Sequence, residues 1–214
     1  MGIALNRSVL VPAGRMARAL LLLSLVVLAG CAAKSVDTGE PVSEALKEQR
    51  WQLHRDHLEQ LQHWQLTGRL NLRVPGESGT MSIDWQQQLQ QYSLLLDGPL
   101  GTSIARITGS DHGVSVTVSG ETLHGSSPEE LLHTLTGWQF PVSYLKYWVV
   151  GLPAPDGDAR IVLDNQGYPE RIEQSGWEIA YQKHSAAAGF HLPTRLTIRS
   201  GDVRLGLLVS NWQL

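Results

Sequence analysis

The feature that most limits how this chain can fold is a change of period at Trp64. From Trp64 to Val74 every second residue is apolar or glycine (Trp64, Leu66, Gly68, Leu70, Leu72, Val74), and Gln65, Thr67, Arg69, Asn71 and Arg73 stand between them. A repeat of two sets these groups on opposite faces of a strand, one dry and one wet. The pattern returns in Met81, Ile83 and Trp85, and most cleanly where Val114, Val116 and Val118 alternate with Ser115, Thr117 and Ser119. It returns again in Trp177, Ile179 and Tyr181, in Leu196 and Ile198, and in Val203, Leu205, Leu207 and Val209. Turn-forming runs at Pro75–Gly79, Gly98–Gly101, Gly109–Gly113, Asn165–Gly167 and Ser200–Asp202 separate the strands. Further strands are expected near 92–96, 104–108, 121–124, 160–164 and 171–174, about ten or eleven in all.

Three helical segments accompany them. Over 43–62, Ser43 is placed to cap and Leu46, Leu53, Leu61 and the 57/58 position form an apolar stripe. His54, His57 and His63 lie there without further ligands at metal spacing, so they read as a solvated face. Ser127-Pro128-Glu129-Glu130 is a capping box, followed by Leu131, Leu132, Leu135 and a stop at Gly137. The third, 141–150, is apolar on nearly all sides apart from Lys146, and Gly151 and Pro153 end it; such a helix is normally buried.

A wide antiparallel sheet with one apolar face curls and must be covered. The expected fold class is mainly β (α+β): an unclosed antiparallel barrel with an apolar cavity lidded by short helices. Leu70, Leu72, Ile83, Trp85, Val116 and Ile179 from the strands, with Trp148 from a helix, are the candidate cavity residues. A packed β-sandwich with outer helices fits the same periodicity.

Ahead of this body, Arg7, Arg15 and Arg18 precede an apolar run, Ala19–Ala29, interrupted only by Ser24. A basic start, a short apolar core and small residues at the exit describe a signal peptide, too short to span a bilayer. Leu28-Ala29-Gly30-Cys31 resembles the bacterial lipobox, in which the cysteine is lipidated after cleavage before it. Cys31 is the only cysteine, so no internal disulfide can form. The expected organisation is a signal peptide over 1–30, a lipidated N-terminus and flexible tether over 31–42, and one domain over 43–214. Met16 is an alternative start. Removing 1–30 takes three of the 17 basic residues and none of the 20 acidic ones, leaving a net charge of about −6. That balance argues against nucleic acid and leaves membrane attachment to covalent lipid.

No phosphate loop or zinc motif is present, and Gly109-Ser110-Asp111-His112-Gly113 reads as a turn rather than a catalytic triad. No catalytic residue, metal or cofactor is assigned. An anchored scaffold protein with a packed core, or a lipid-acting hydrolase, are the alternative classes.

The lipobox, Thr67–Leu72 (TGRLNL), the strand ending Ile83-Asp84-Trp85, Gly98–Thr102 (GPLGT), Leu135–Gly137 (LTG), Tyr147–Pro153 (YWVVGLP) and Asn211-Trp212 follow one another in an order that resembles the LolA/LolB family of Gram-negative bacteria. The resemblance covers nearly the whole mature chain. It implies an unclosed, helix-lidded barrel and, with Cys31, a lipid-anchored receptor on the periplasmic face of the outer membrane. Such a receptor accepts triacylated lipoproteins from the soluble carrier LolA and inserts them into outer-membrane lipid, as a monomer, with no enzyme activity. Within Asp97–Thr102, Leu100 is either tucked onto the sheet or held outward between Pro99 and Gly101. The resemblance implies the second, a loop that helps deliver cargo to the membrane.

Overall fold

The computed structural model describes residues 42–214. The expected signal peptide, Cys31 and the tether up to residue 41 lie outside the described residues. Eleven strands form a single antiparallel sheet: β1 (His63–Val74), β2 (Glu77–Gln88), β3 (Gln91–Asp97), β4 (Ser103–Ser110), β5 (Gly113–Val118), β6 (Glu121–Gly125), β7 (Ala159–Leu163), β8 (Pro169–Gln174), β9 (Trp177–Ala187), β10 (Phe190–Ser200) and β11 (Val203–Gln213). Their spatial order is β6-β5-β4-β3-β2-β1-β11-β10-β9-β8-β7. The first and last strands therefore meet in the middle, and β6 and β7 are the two edges. The single sheet is unclosed, as expected, and the alternative of a packed two-sheet sandwich is not what forms.

The join at the centre depends on Gly68. The register slips between Thr67 and Gly68, and a Cβ at Gly68 would run into the carbonyl oxygen of Leu208 on β11. A bulge with glycine lets the two backbones approach where any side chain would hold them apart.

The helices are α1 (Glu44–Leu58), α2 (Pro128–Thr136) and α3 (Leu145–Trp148), the last preceded by a 3₁₀ turn, Val142–Tyr144. Ser43 Oγ accepts from the Leu46 amide at 3.3 Å, and Ser127 Oγ accepts from the Glu130 amide at 3.1 Å, which are the expected N-caps. Both α2 and α3 lie in the one connection that runs from edge strand β6 to edge strand β7. The segment that must travel between the two open edges thus carries the helical cover.

Three expectations are corrected. The stripe on α1 is rotated: Trp51 and Leu58 are buried, while Leu46 is partly exposed and Leu53 is 67% exposed. The continuous helix expected over 141–150 is a 3₁₀ turn plus one α-helical turn, with the buried Val149 and Val150 beyond its end. Strands β9 and β10 also run further than the alternation indicates, pairing Ala187 with Phe190. Pro193 lies within the extension and is accommodated where the β9–β10 register shifts.

Candidate functional site

The apolar face of the sheet carries one large core. Leu66 of β1 pairs in register with Trp85 of β2 and Trp212 of β11, and Trp64 packs against both tryptophans at ring-centroid distances of 5.1 and 5.5 Å. The Tyr147–Pro153 segment inserts Trp148, Val149, Val150 and Leu152 into this core, all buried. Gly151, at φ 94°, turns the chain there, and the Leu152 amide donates to the Tyr147 carbonyl at 3.0 Å. Trp148 is fully buried and its Nε1 donates to Gln174 Oε1 at 3.0 Å. Tyr181 donates its hydroxyl to the Trp148 carbonyl at 2.8 Å.

The candidate cavity residues divide between two places. Ile83, Trp85, Trp148 and Ile179 belong to the large core, with Leu70 packed against it and Leu72 half-buried on the same strand. Val116 belongs to a separate small cluster with Val114 and Leu131, where α2 lies on β5. Of the seven, only Trp85 walls the apolar cavity beneath the helices. That space is about 160 Å³, bounded by Trp85, Tyr92, Leu94 and Ile107 of the sheet and by Pro128 and Leu145. Small-molecule pockets run to about 300–1,000 Å³, so a long acyl chain enters this space only if the helical cover moves.

The Gly98–Thr102 loop decides the question left open at Leu100. The side chain is 106% exposed, and its backbone sits at φ 64°, ψ 19°, the left-handed region that leucine rarely occupies. The loop is tied beneath it: the Gly98 amide donates to the Thr102 carbonyl at 2.7 Å, and Thr102 Oγ1 donates to the Pro99 carbonyl at 3.2 Å. Pro99 and Gly101 flank the tip and are exposed. A well-tied loop therefore holds one large apolar side chain out in water, at some conformational cost.

Of the three histidines expected on a solvated face, His57 and His63 are exposed, whereas His54 is half-buried, a further correction. The His54 ring meets Tyr168 edge-on at 4.7 Å, Tyr168 stacks on His191 at 3.9 Å, and His191 stacks on His184 at 5.3 Å. His57 is exposed but stacks on Phe190 at 4.2 Å. Burial, with neighbouring His191 in second place, lowers the pKa of both His54 and His184 to about 4. The cluster fastens α1 to β9, β10 and the end of the β7–β8 turn. Among the described residues, no group of three or more His, Cys, Asp or Glu side chains could hold a metal ion, and no helix is long and apolar enough to cross a membrane. Ser110 Oγ accepts from the His112 amide at 3.2 Å within the β4–β5 turn.

The architecture, a wide unclosed sheet with short helices over its apolar face, recurs in solved structures. A LolA superfamily protein from Nitrosomonas europaea superposes with a TM-score of 0.50 at 12% identity, covering 81% of this chain and 94% of that one. A putative outer membrane lipoprotein-sorting protein domain from Vibrio parahaemolyticus superposes with a TM-score of 0.53 at 10% identity, covering 77% and 90%. At those identities the likeness speaks for the fold alone. The family follows from sequence. The family model described as outer membrane lipoprotein LolB matches residues 62–212. The outer-membrane lipoprotein LolB of Pseudomonas paraeruginosa is 38% identical over 191 residues, covering 89% of this chain and 92% of that protein. That of Stutzerimonas stutzeri is 38% identical over 189 residues, covering 88% and 91%. The chain belongs to the LolB family of outer-membrane lipoproteins.

Proposed function

We propose that this chain, anchored through a lipidated Cys31, accepts triacylated lipoproteins from the periplasmic carrier LolA, shelters their acyl chains in its apolar interior and inserts them into outer-membrane lipid. Family membership supports the coarser part, a role in lipoprotein localisation. The observation that carries the delivery step is Leu100, fully exposed on a loop tied by its own hydrogen bonds. Burying one leucine contributes about 1.5–3 kcal/mol, weak alone but useful beside a lipid anchor. Acyl chains cannot cross water exposed, because each buried methylene is worth about 0.8 kcal/mol. Transfer from carrier to receptor to bilayer keeps them desolvated, and with no energy source in the step it runs down a gradient of affinity.

In a reconstituted assay with carrier-loaded lipoprotein and liposomes, Leu100→Glu accepts cargo at the wild-type level but inserts it at least about tenfold more slowly. Equal loss of acceptance and insertion would remove the loop from the delivery step. Cys31→Ala, given a cleavable signal, is released from membranes by washing; retention after high salt would refute the anchor.

One observation favours a second reading, an anchored scaffold lipoprotein. Trp148 is fully buried and the apolar cavity is only about 160 Å³. A fluorescent fatty acid decides between them: saturable uptake supports the receptor, and none at any accessible concentration supports the scaffold.

A further inference from the structure

The outer face of the sheet, turned away from the helices, is charged unevenly. Strands β1, β11 and β10 lie side by side at its centre and carry Arg69, Arg73, Arg195, Arg199 and Arg204, with no aspartate or glutamate. All five side chains are exposed, and they alternate with the inward Leu70, Leu72, Leu205, Leu196 and Ile198. The mature chain is acidic as a whole. Its average hides this patch, which forms only because the first and last strands of the domain meet.

Register sharpens the concentration. Arg73 stands directly opposite Arg204, and Arg204 directly opposite Arg199. Like charges in that position destabilise a sheet. Arg199 is neutralised, because its Nε and a terminal nitrogen donate to the two carboxylate oxygens of Glu178 at 2.9 and 3.0 Å. Arg69, Arg73, Arg195 and Arg204 form no ion pair among the described residues, and neither Glu77 nor Asp202 in the adjoining turns reaches them. Two residues along β11, Gly206 pairs with both Asn71 and Thr197. Its missing side chain leaves a depression of about 520 Å³ edged by Arg73, Arg204, Asn71, Ser78, Thr80 and Thr197. Thr80 Oγ1 donates to Asn71 Oδ1 at 2.7 Å, which leaves the Asn71 NH₂ group free to donate. That group borders the gap, since a Cβ on Gly206 would lie 4.0 Å from Asn71 Nδ2. Two guanidiniums and an amide donor, with no acid in the wall, match the oxygens of a phosphate.

The place of the row identifies where that phosphate comes from. Strands β1, β3 and β10 run in one direction, so the Pro75-Gly76 turn, the Leu100 loop and the Gly201-Asp202 turn emerge at one end of the sheet. Arg73, Arg199 and Arg204 each stand two residues from those turns. Leu208, 39% exposed, lies between Arg69 and Arg195 and gives the patch an apolar spot. Basic side chains beside exposed leucines suit a headgroup layer. We propose that the Arg73–Arg204 row, with Asn71, docks this chain on anionic phospholipid headgroups and so turns the Leu100 loop toward the bilayer. This rests on the reading that the loop works at the membrane. Covalent lipid supplies attachment, and the arginines supply orientation.

The test uses the mature chain carrying Cys31→Ala, so that no anchor masks the surface. It is sedimented with vesicles of phosphatidylcholine alone, or of equal parts phosphatidylcholine and phosphatidylglycerol. The chain binds the mixed vesicles at least about twenty-fivefold more tightly, about fivefold for each of two arginines at an anionic surface. Added salt shrinks that preference. Arg73→Gln with Arg204→Gln removes most of it and leaves binding to phosphatidylcholine unchanged. Arg50→Gln with Arg55→Gln, the same change of charge on α1, keeps the preference. Thermal unfolding shows each variant folded, with Arg204→Gln at least as stable as wild type because a like-charge pair is gone. Leu100→Ser, which adds no charge, weakens binding to both vesicles and keeps their ratio; unchanged binding to both would overturn the delivery reading alone. Equal wild-type affinity for the two vesicles, or a preference that both double variants reduce alike, overturns the docking row and leaves Leu100 standing. Should the Arg73–Arg204 variant lose only uptake of cargo from the carrier, the row meets a protein and the lipid proposal is overturned.

Discussion

Two glutamines are buried in the core, and they are treated in opposite ways. Gln174, 2% exposed on β8, is saturated: Oε1 accepts from Trp148 Nε1 and from the Ala154 amide at 2.9 Å, and Nε2 donates to the carbonyls of Ala154 and Asp156 at 2.8 and 3.0 Å. Gln87, 4% exposed on β2, makes one hydrogen bond and leaves Oε1 bare. The first locks the Trp148 segment and the loop after it onto the β7–β10 side of the sheet. The second sits beside a small cavity on the β2–β5 side, where two further polar atoms are unpaired. A saturated buried polar group specifies a single packing, whereas an unsaturated one stores free energy that a ligand can release. The molecule thus closes one side with a saturated hydrogen-bond network and leaves the other, beside a small cavity, less saturated.

The comparison breaks most visibly at Gln174. Gln174→Leu strips partners from two donors and two carbonyls at once and lowers stability by about 3–5 kcal/mol, read as a fall in the urea midpoint. Gln87→Leu changes it by less than about 1 kcal/mol. Similar losses at both sites would erase the distinction.

Acid is the next probe, acting on the saturated side. His54 and His184 have folded pKa values of about 4 against 6.5 when exposed, so the unfolded chain takes up protons first as pH falls. Their contribution is intact above pH 6.5 and is lost between 6.5 and about 4. With both rings part-exposed, the discounted loss is about 1–2 kcal/mol. The pH dependence of the urea midpoint measures it, and His54→Phe with His184→Phe flattens the curve across this window. An unchanged slope would mean that the histidines do not hold α1 down.

Smaller effects belong to the less saturated side. Tyr92→Phe removes a buried hydroxyl that has no partner and leaves apo stability unchanged or raised by up to about 1 kcal/mol, by calorimetry. Leu100→Glu alters stability by no more than about 0.5 kcal/mol, since the side chain touches no core. A larger loss would place Leu100 in the packing.

Much of this architecture is legible in the residues alone. Val114, Val116 and Val118 define a strand with no help from the rest of the chain, because alternation is a local property of an extended backbone. The N-caps at Ser43 and Ser127 are equally local. On α1, Leu46 and Leu53 satisfy helical spacing as well as Trp51, His54 and Leu58 do, and propensity cannot choose between two faces. The choice came from His184, His191 and Tyr168, more than a hundred residues away, which offer rings for His54 to pack on. The Pro141–Val150 segment misled for a related reason: apolar on all sides, it carries no periodicity to say where a helix stops, and the core that receives Trp148 sets the turn.

The sequence by itself determined the mainly β character, the approximate strand count, the caps and the turn that carries Leu100, since each rests on interactions within a few residues. Only the tertiary structure decided that Leu100 points outward, that Val116 parts company with Ile83 and Ile179, and that Gln174 is satisfied while Gln87 is not. Those outcomes depend on strand register and on how one connection crosses from β6 to β7, and no local pattern encodes which distant atoms will meet.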